Sequence, residues 1–103
     1  MDDIRRRLDI WGCAAYPEED YPPGSEQGEV GGVDLALLDG EVAALAYRWL
    51  EGRWMEGDDK TLELCLEDLG LAMPQLSPAG RLYFEPAMEI LLDIRHARSK
   101  PRP

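Results

Sequence analysis

Apolar residues recur at helical spacing along most of this chain, most clearly from Asp58 to Met73. There Leu62, Cys65, Leu66, Leu69 and Met73 stand at offsets of three, four, seven and eleven, which places them on one face of a helix. The pattern predicts a helix capped by Asp58 or Asp59 and stopped by Pro74. Gly70 offers an earlier stop, since glycine inside a helix costs up to about 1 kcal/mol relative to alanine. Upstream, Asp39 followed by Gly40 and Glu41 predicts the N-cap of a helix in which Val42, Leu45, Ala46, Trp49 and Leu50 share a face and Gly52 marks the end. Val33 to Leu38, apolar apart from Asp34, reads as a helical start at Asp34 or as a short extended lead-in.

Downstream, Ser77 and Pro78 form a helix start signal, an N-cap with proline at the first helical position. Leu82, Tyr83, Met88, Ile90, Leu91 and Ile94 continue the stripe, but Pro86 removes a backbone donor and predicts a kink or break between Arg81 and Glu85. At the other end, Ile4, Leu8 and Trp11 behind Asp2 and Asp3 predict a short first helix ending near Gly12. No alternating run is long enough for a strand. These elements predict an all-α fold: a small antiparallel bundle of four or five helices, one domain over residues 1–98, with a disordered basic tail over 99–103.

The stretch 13–33 breaks the pattern. Between Tyr16 and Gly32 it holds three prolines, four glycines and five acids and no periodic apolar positions, so it reads as a long irregular loop between the first and second helices. A loop of this length in a small domain is functional or poorly ordered. Tyr16 and Tyr21 either pin it to the helices or present aromatic contacts to a partner. Trp54 and Met55, in the link from Arg53 to Gly57, either cover the end of the bundle or form an exposed apolar patch.

Charge narrows the range of partners. The net charge is −10, and between Leu8 and Ile94 there are 19 acids against four bases, while Arg5, Arg6, Arg7, Arg95, Arg98, Lys100 and Arg102 sit near the ends. Such a body repels nucleic-acid phosphates and attracts basic proteins. Without an apolar run long enough for a membrane span or the features of a signal peptide, and with Cys13 and Cys65 far apart and unsuited to pairing, the sequence predicts a cytoplasmic protein with no membrane association.

Candidate chemistry is sparse. There is no phosphate loop, and Gly28, Gly31 and Gly32 lie among acids. His96 is the one histidine; Glu89, Asp93 and His96 share a helical face at offsets four and seven, the nearest approach to a metal-ligand set, although arginines flank it. No serine elbow and no cysteine with a basic neighbour supports nucleophilic catalysis. The sequence predicts no enzyme and no cofactor.

The opening Asp3-Ile4-Arg5, with Leu8 and Trp11-Gly12, resembles the start of late-gene antitermination proteins of lambdoid phages, which bind DNA and RNA polymerase. The likeness covers Asp3 to Gly12 alone. Those proteins continue into a basic helix-turn-helix-like region, with metal-binding cysteines in some members. This chain turns acidic instead and has no second cysteine cluster, so no residue role is carried across.

In size, charge and helical character the chain is similar to immunity proteins that neutralise bacterial toxins and to acidic inhibitors that occupy nucleic-acid sites. The expected function is therefore a non-catalytic inhibitor that blocks the site of a basic protein, such as a toxin or a nucleic-acid-binding protein. Expected contact residues are Glu18, Glu19, Asp20, Glu26 and Glu29 with Tyr16 and Tyr21 as anchors, together with the outward acids Glu63, Glu67 and Asp68. Two alternatives stand beside it: a transcription-associated regulator touching nucleic acid or polymerase through the basic ends, and an accessory subunit or homodimer using Trp54 and Met55.

Overall fold

The computed structural model of the protein describes residues 2–12, 29–30 and 32–99. The fold is all-α: α1 (Asp2–Gly12), α2 (Leu35–Leu50), α3 (Asp58–Ala72) and α4 (Pro78–Ser99), with a 3-10 turn over Met73–Gln75. Two short strands, β1 (Glu29–Val30) and β2 (Val33–Asp34), pair antiparallel just ahead of α2. The sequence predicts no strand, and this ladder of two residues per strand is too short to show as an alternating run. Gly32 stands at φ 80°, where a side chain would be strained, and lets the chain turn between Val30 and Val33.

The apolar stripes converge on one core. Ile4, Leu8 and Trp11 of α1, Val42, Leu45 and Ala46 of α2, Leu62, Cys65 and Leu69 of α3, and Ile90, Leu91 and Ile94 of α4 are all buried in it. Leu66, Met73, Trp49, Leu50, Tyr83 and Met88 pack partly buried against it. Leu82, read as part of the α4 stripe, is exposed instead, and Phe84 and Ala87 take the buried positions. Tyr83 joins three helices: its ring lies 5.8 Å from Trp11 of α1 and its hydroxyl donates to Asp39 of α2 at 2.7 Å.

Two predicted boundaries move. Helix α2 begins at Leu35, and its N-cap is Asp34, extended at φ −77° and ψ 105°, whose carboxylate accepts from the Leu37 amide at 3.1 Å. Leu35 and Leu38 are both buried, so core packing draws the turn ahead of Asp39 into the helix. Asp39 is thus an interior residue, a partner of Tyr83 rather than a cap. Likewise α4 runs unbroken from Pro78 to Ser99 through Pro86. The carbonyl that Pro86 leaves without an intrahelical donor belongs to Leu82, which faces solvent, while Phe84 and Ala87 on either side are fully buried and hold the two turns in line. Ser77 caps α4 as expected, accepting from the Gly80 amide at 3.1 Å.

Helix α2 ends in a Schellman turn. Gly52, at φ 70°, lets its own amide donate to Trp49 and the Arg53 amide donate to Arg48 at 2.9 Å. Helix α3 then starts from Gly57 at φ 93°, with no side-chain cap. Asp58, expected as a cap, looks backward instead: it receives a bidentate pair from Arg48, at 2.9 and 2.8 Å, and accepts from the Met55 amide at 2.9 Å. Helix α3 passes through Gly70 to Ala72, and Pro74 falls in the 3-10 turn that follows.

The Arg48 hydrogen bond, reinforced by the Met55 amide, holds the Asp58 carboxyl below its usual range despite burial. With 8% of the Asp58 side chain and 27% of Arg48 exposed, removing the acid strands a guanidinium in a mostly dry site. Asp58→Ala is expected to lower the unfolding free energy by about 2–3 kcal/mol in urea denaturation. A loss below about 0.5 kcal/mol would show the pair to be dispensable.

Because the folded-state pKa of Asp58 is depressed, its stabilisation is complete above the unfolded-state value and fades as pH falls towards the folded one. The stability gap between the native protein and Asp58→Asn should therefore be full above about pH 5 and narrow below about pH 4. A gap constant down to about pH 2.5 would assign the loss to packing instead of charge.

Candidate interaction surface

Helices α2 and α3 together present an open face. Arg48 meets Asp58 at one end and Glu41 meets Cys65 midway, so the two helices run in opposite directions. Leu37, Glu41, Ala44 and Arg48 recur along one edge of α2 at steps of four, three and four. Along α3, Thr61, Leu64, Asp68 and Leu71 recur at steps of three, four and three. A groove of about 540 Å³ lies on this face, lined by Leu37, Gly40, Glu41, Ala44, Arg48 and Thr61 among others. Leu37, Leu64 and Leu71 are 61, 48 and 53% exposed on helices whose opposite faces are fully buried. At Gly40 an added Cβ would meet no heavy atom of the described residues within 4 Å, so the smallness of this residue meets no packing need among them.

At the foot of this face lies Cys65. Its thiol donates to a Glu41 carboxylate oxygen at 3.6 Å, and its pKa is pushed up to about 12, first by burial and then by the negative charge of Glu41. The thiolate, the reactive form, is thus suppressed at neutral pH. Glu41 also lines the groove, so its carboxylate is shared between the thiol and this surface.

The expected contact residues divide into three sets. Tyr16, Glu18, Glu19, Asp20, Tyr21 and Glu26 lie outside the described residues, and Glu29 is described only through its backbone in β1. Glu63 is exposed but engaged, since Arg95 of α4 donates to it at 3.1 Å. Glu67 is exposed and Asp68 half-buried, and neither makes an ion pair among the described residues. Glu41 escaped the sequence reading. Its place beside the α2 stripe was visible, but the facing α3 residue that makes it part of a groove was not.

Most arginines serve the fold. Arg7 lies between α1 and α4, where it hydrogen-bonds Asp93 and comes within 3.8 Å of Glu89 and 3.1 Å of Asp3. Its guanidinium pKa is raised, chiefly by the Asp93 hydrogen bond. Two of the three residues read as a ligand set, Glu89 and Asp93, are therefore bound to a cation of the chain, and no group of three His, Cys, Asp or Glu among the described residues is placed to hold a metal ion. Arg6 pairs with Asp3, and Arg98 hydrogen-bonds Asp59 while standing 5.0 Å over the Trp54 ring.

Trp54 and Met55 part company. Trp54 packs edge-on against Trp49 at 5.7 Å and donates to Asp59 at 3.3 Å, covering the end of the helices, whereas Met55 is exposed. No helix among the described residues is long and apolar enough to cross a membrane. Comparison of the chain with protein-family models, with curated proteins and with solved structures returns no match.

The suppressed thiol is directly measurable. In a Cys13→Ser background, Cys65 is expected to react with a disulfide reagent at pH 8 at least about a hundredfold more slowly than in the urea-unfolded chain. Equal rates would show that the Glu41–Cys65 site is open to solvent.

Proposed function

We propose that this chain is a non-catalytic binding protein that neutralises a basic protein partner by covering its functional site. The observation that carries the reading is how the acids of α3 are employed. Asp58, Asp59 and Glu63 are each held by an arginine, while Glu67 and Asp68 make no ion pair among the described residues. Carboxylates left without a cation on a rigid helical frame favour fast, oriented association with lysines and arginines of another molecule. Glu41, on the neighbouring helix edge, extends the same field.

The acidic stretch with Glu18, Glu19, Asp20, Glu26 and Glu29 adds charge of the same sign to this reading. The regulator reading, in which the basic ends touch nucleic acid, is weakened because Arg6, Arg7, Arg95 and Arg98 are committed to acids of the chain. A partner of the proposed kind is a nuclease, toxin or other phosphate-binding protein whose site carries clustered cations.

The test is affinity capture from the host lysate at low salt, followed by titration of the purified captured protein. The expected result is one basic protein whose Kd weakens about tenfold, or about 1.4 kcal/mol, with Glu67→Gln/Asp68→Asn and again when salt rises to about 0.5 M. Glu18, Glu19 and Asp20 changed to Ala in parallel measure the share of the acidic stretch. Recovery of nucleic acid, or binding indifferent to salt and to these substitutions, would overturn the reading.

A further inference from the structure

We infer that the groove along α2 and α3 is a docking site for an amphipathic helix of that basic partner, with apolar residues on one face of the helix and lysine or arginine on its flanks. This rests on the reading above and adds where the partner sits and what shape it has. The apolar part of the argument is geometric. Leu37 stands exposed at one end of the groove, and Gly40 and Ala44 beyond it give a floor with little side chain. Leu64 and Leu71, also exposed, fall by helical spacing on the side of α3 that carries Thr61. From Leu37 to Arg48 the floor is about 16 Å long, three turns of a docked helix. A helix laid into such a groove is anchored by residues at i, i+3 or i+4, and i+7.

Charge selects the occupant. Glu41 lines the groove, and Asp68 falls two turns beyond Thr61 on the same side of α3. Among the described residues of the lining the one cation is Arg48, already bound to both oxygens of Asp58. A helix entering with cations beside its apolar face meets Glu41 on α2 and has Asp68 within the same field. A second copy of this chain would instead bring Glu41, Glu67 and Asp68 against their own counterparts, and like charges across an interface are repulsive. An uncharged apolar helix would leave these acids partly desolvated without a counter-charge.

The experiment uses the full chain and three labelled 18-residue peptides: a leucine–lysine helix with leucines at helical spacing, a scramble of identical composition, and the same pattern with glutamine for lysine. Fluorescence anisotropy reads their binding, and sedimentation reads the oligomeric state of the chain alone. The patterned basic peptide is expected to bind at least tenfold more tightly than either control.

The decisive variant is Gly40→Glu/Ala44→Glu, which fills the floor with polar side chains while adding two negative charges. Both positions are helical, Gly40 exposed and Ala44 half-buried, and circular dichroism checks that the helices are retained. Docking in the groove predicts at least a tenfold loss of binding to the patterned peptide, whereas charge attraction alone predicts tighter binding. Tighter or unchanged binding therefore overturns the groove. Equal, salt-sensitive binding of patterned and scrambled peptides also overturns it, yet leaves the acidic-surface reading standing. Binding by none of the basic peptides removes both readings, and salt-insensitive self-association lost in the double variant assigns the face to a second copy.

Discussion

The buried pair of Arg48 and Asp58 is the constraint on which the accessible face of this molecule depends. Arg48 lies in the last turn of α2 and Asp58 in the first turn of α3, so their bidentate contact closes the link between the helices and sets their register. Asp58 also takes the Met55 amide, a donor of the tight link that would otherwise want for a partner. With the register set, Glu41 falls opposite Cys65, and the edges of the two helices line up as the sides of one groove. Among the described residues that line the groove, the same pair engages the one arginine, which leaves the Glu41 carboxylate there without a counter-charge.

Charge in this protein is sorted into two kinds. One kind is structural: Arg7 bridges α1 to Glu89 and Asp93 of α4, Arg95 reaches Glu63, and Arg98 reaches Asp59 beneath Trp54. These contacts are largely exposed, and each adds little stability by itself, but together they tie three helices through their polar rims. The other kind is the remainder, in which acids outnumber bases. With 21 acids and 11 bases, pairing within the chain cancels an acid for each base it uses and leaves the net charge of −10 to carboxylates without a cation.

Much of the core was legible in the sequence because helical periodicity is a local property. The stripes of α1 and α3 held, since each needed only its own spacing to declare a buried face. Errors came where a distant contact decided. Asp39 carries every local mark of a cap, yet Leu35 and Leu38 find a core to enter and Tyr83 supplies Asp39 with a donor from 44 residues away. Pro86 carries every mark of a break, yet buried neighbours on both sides keep α4 continuous. The site followed the same rule: Glu67 and Asp68 were visible as outward acids, while the engagement of Glu63 by Arg95, and of Glu41 with Cys65, depends on a second helix.

The position of α1 carries a consequence for how the chain assembles. Helices α2, α3 and α4 follow one another through short links, and their mutual contacts, up to the 44 residues between Asp39 and Tyr83, close loops shorter than the one that α1 closes. By contrast, Arg7 and Asp93 are 86 residues apart in sequence, and α1 docks on α4 through three buried apolar side chains and this cation. Closing a loop of that length costs more chain entropy than any contact among the other helices, and nothing local rewards α1 before it docks. Topologically, then, α2 to α4 form the hub and α1 the clasp that completes it. The described residues that line the groove all belong to α2 and α3 of the hub, so its walls are set by helices joined through a short link.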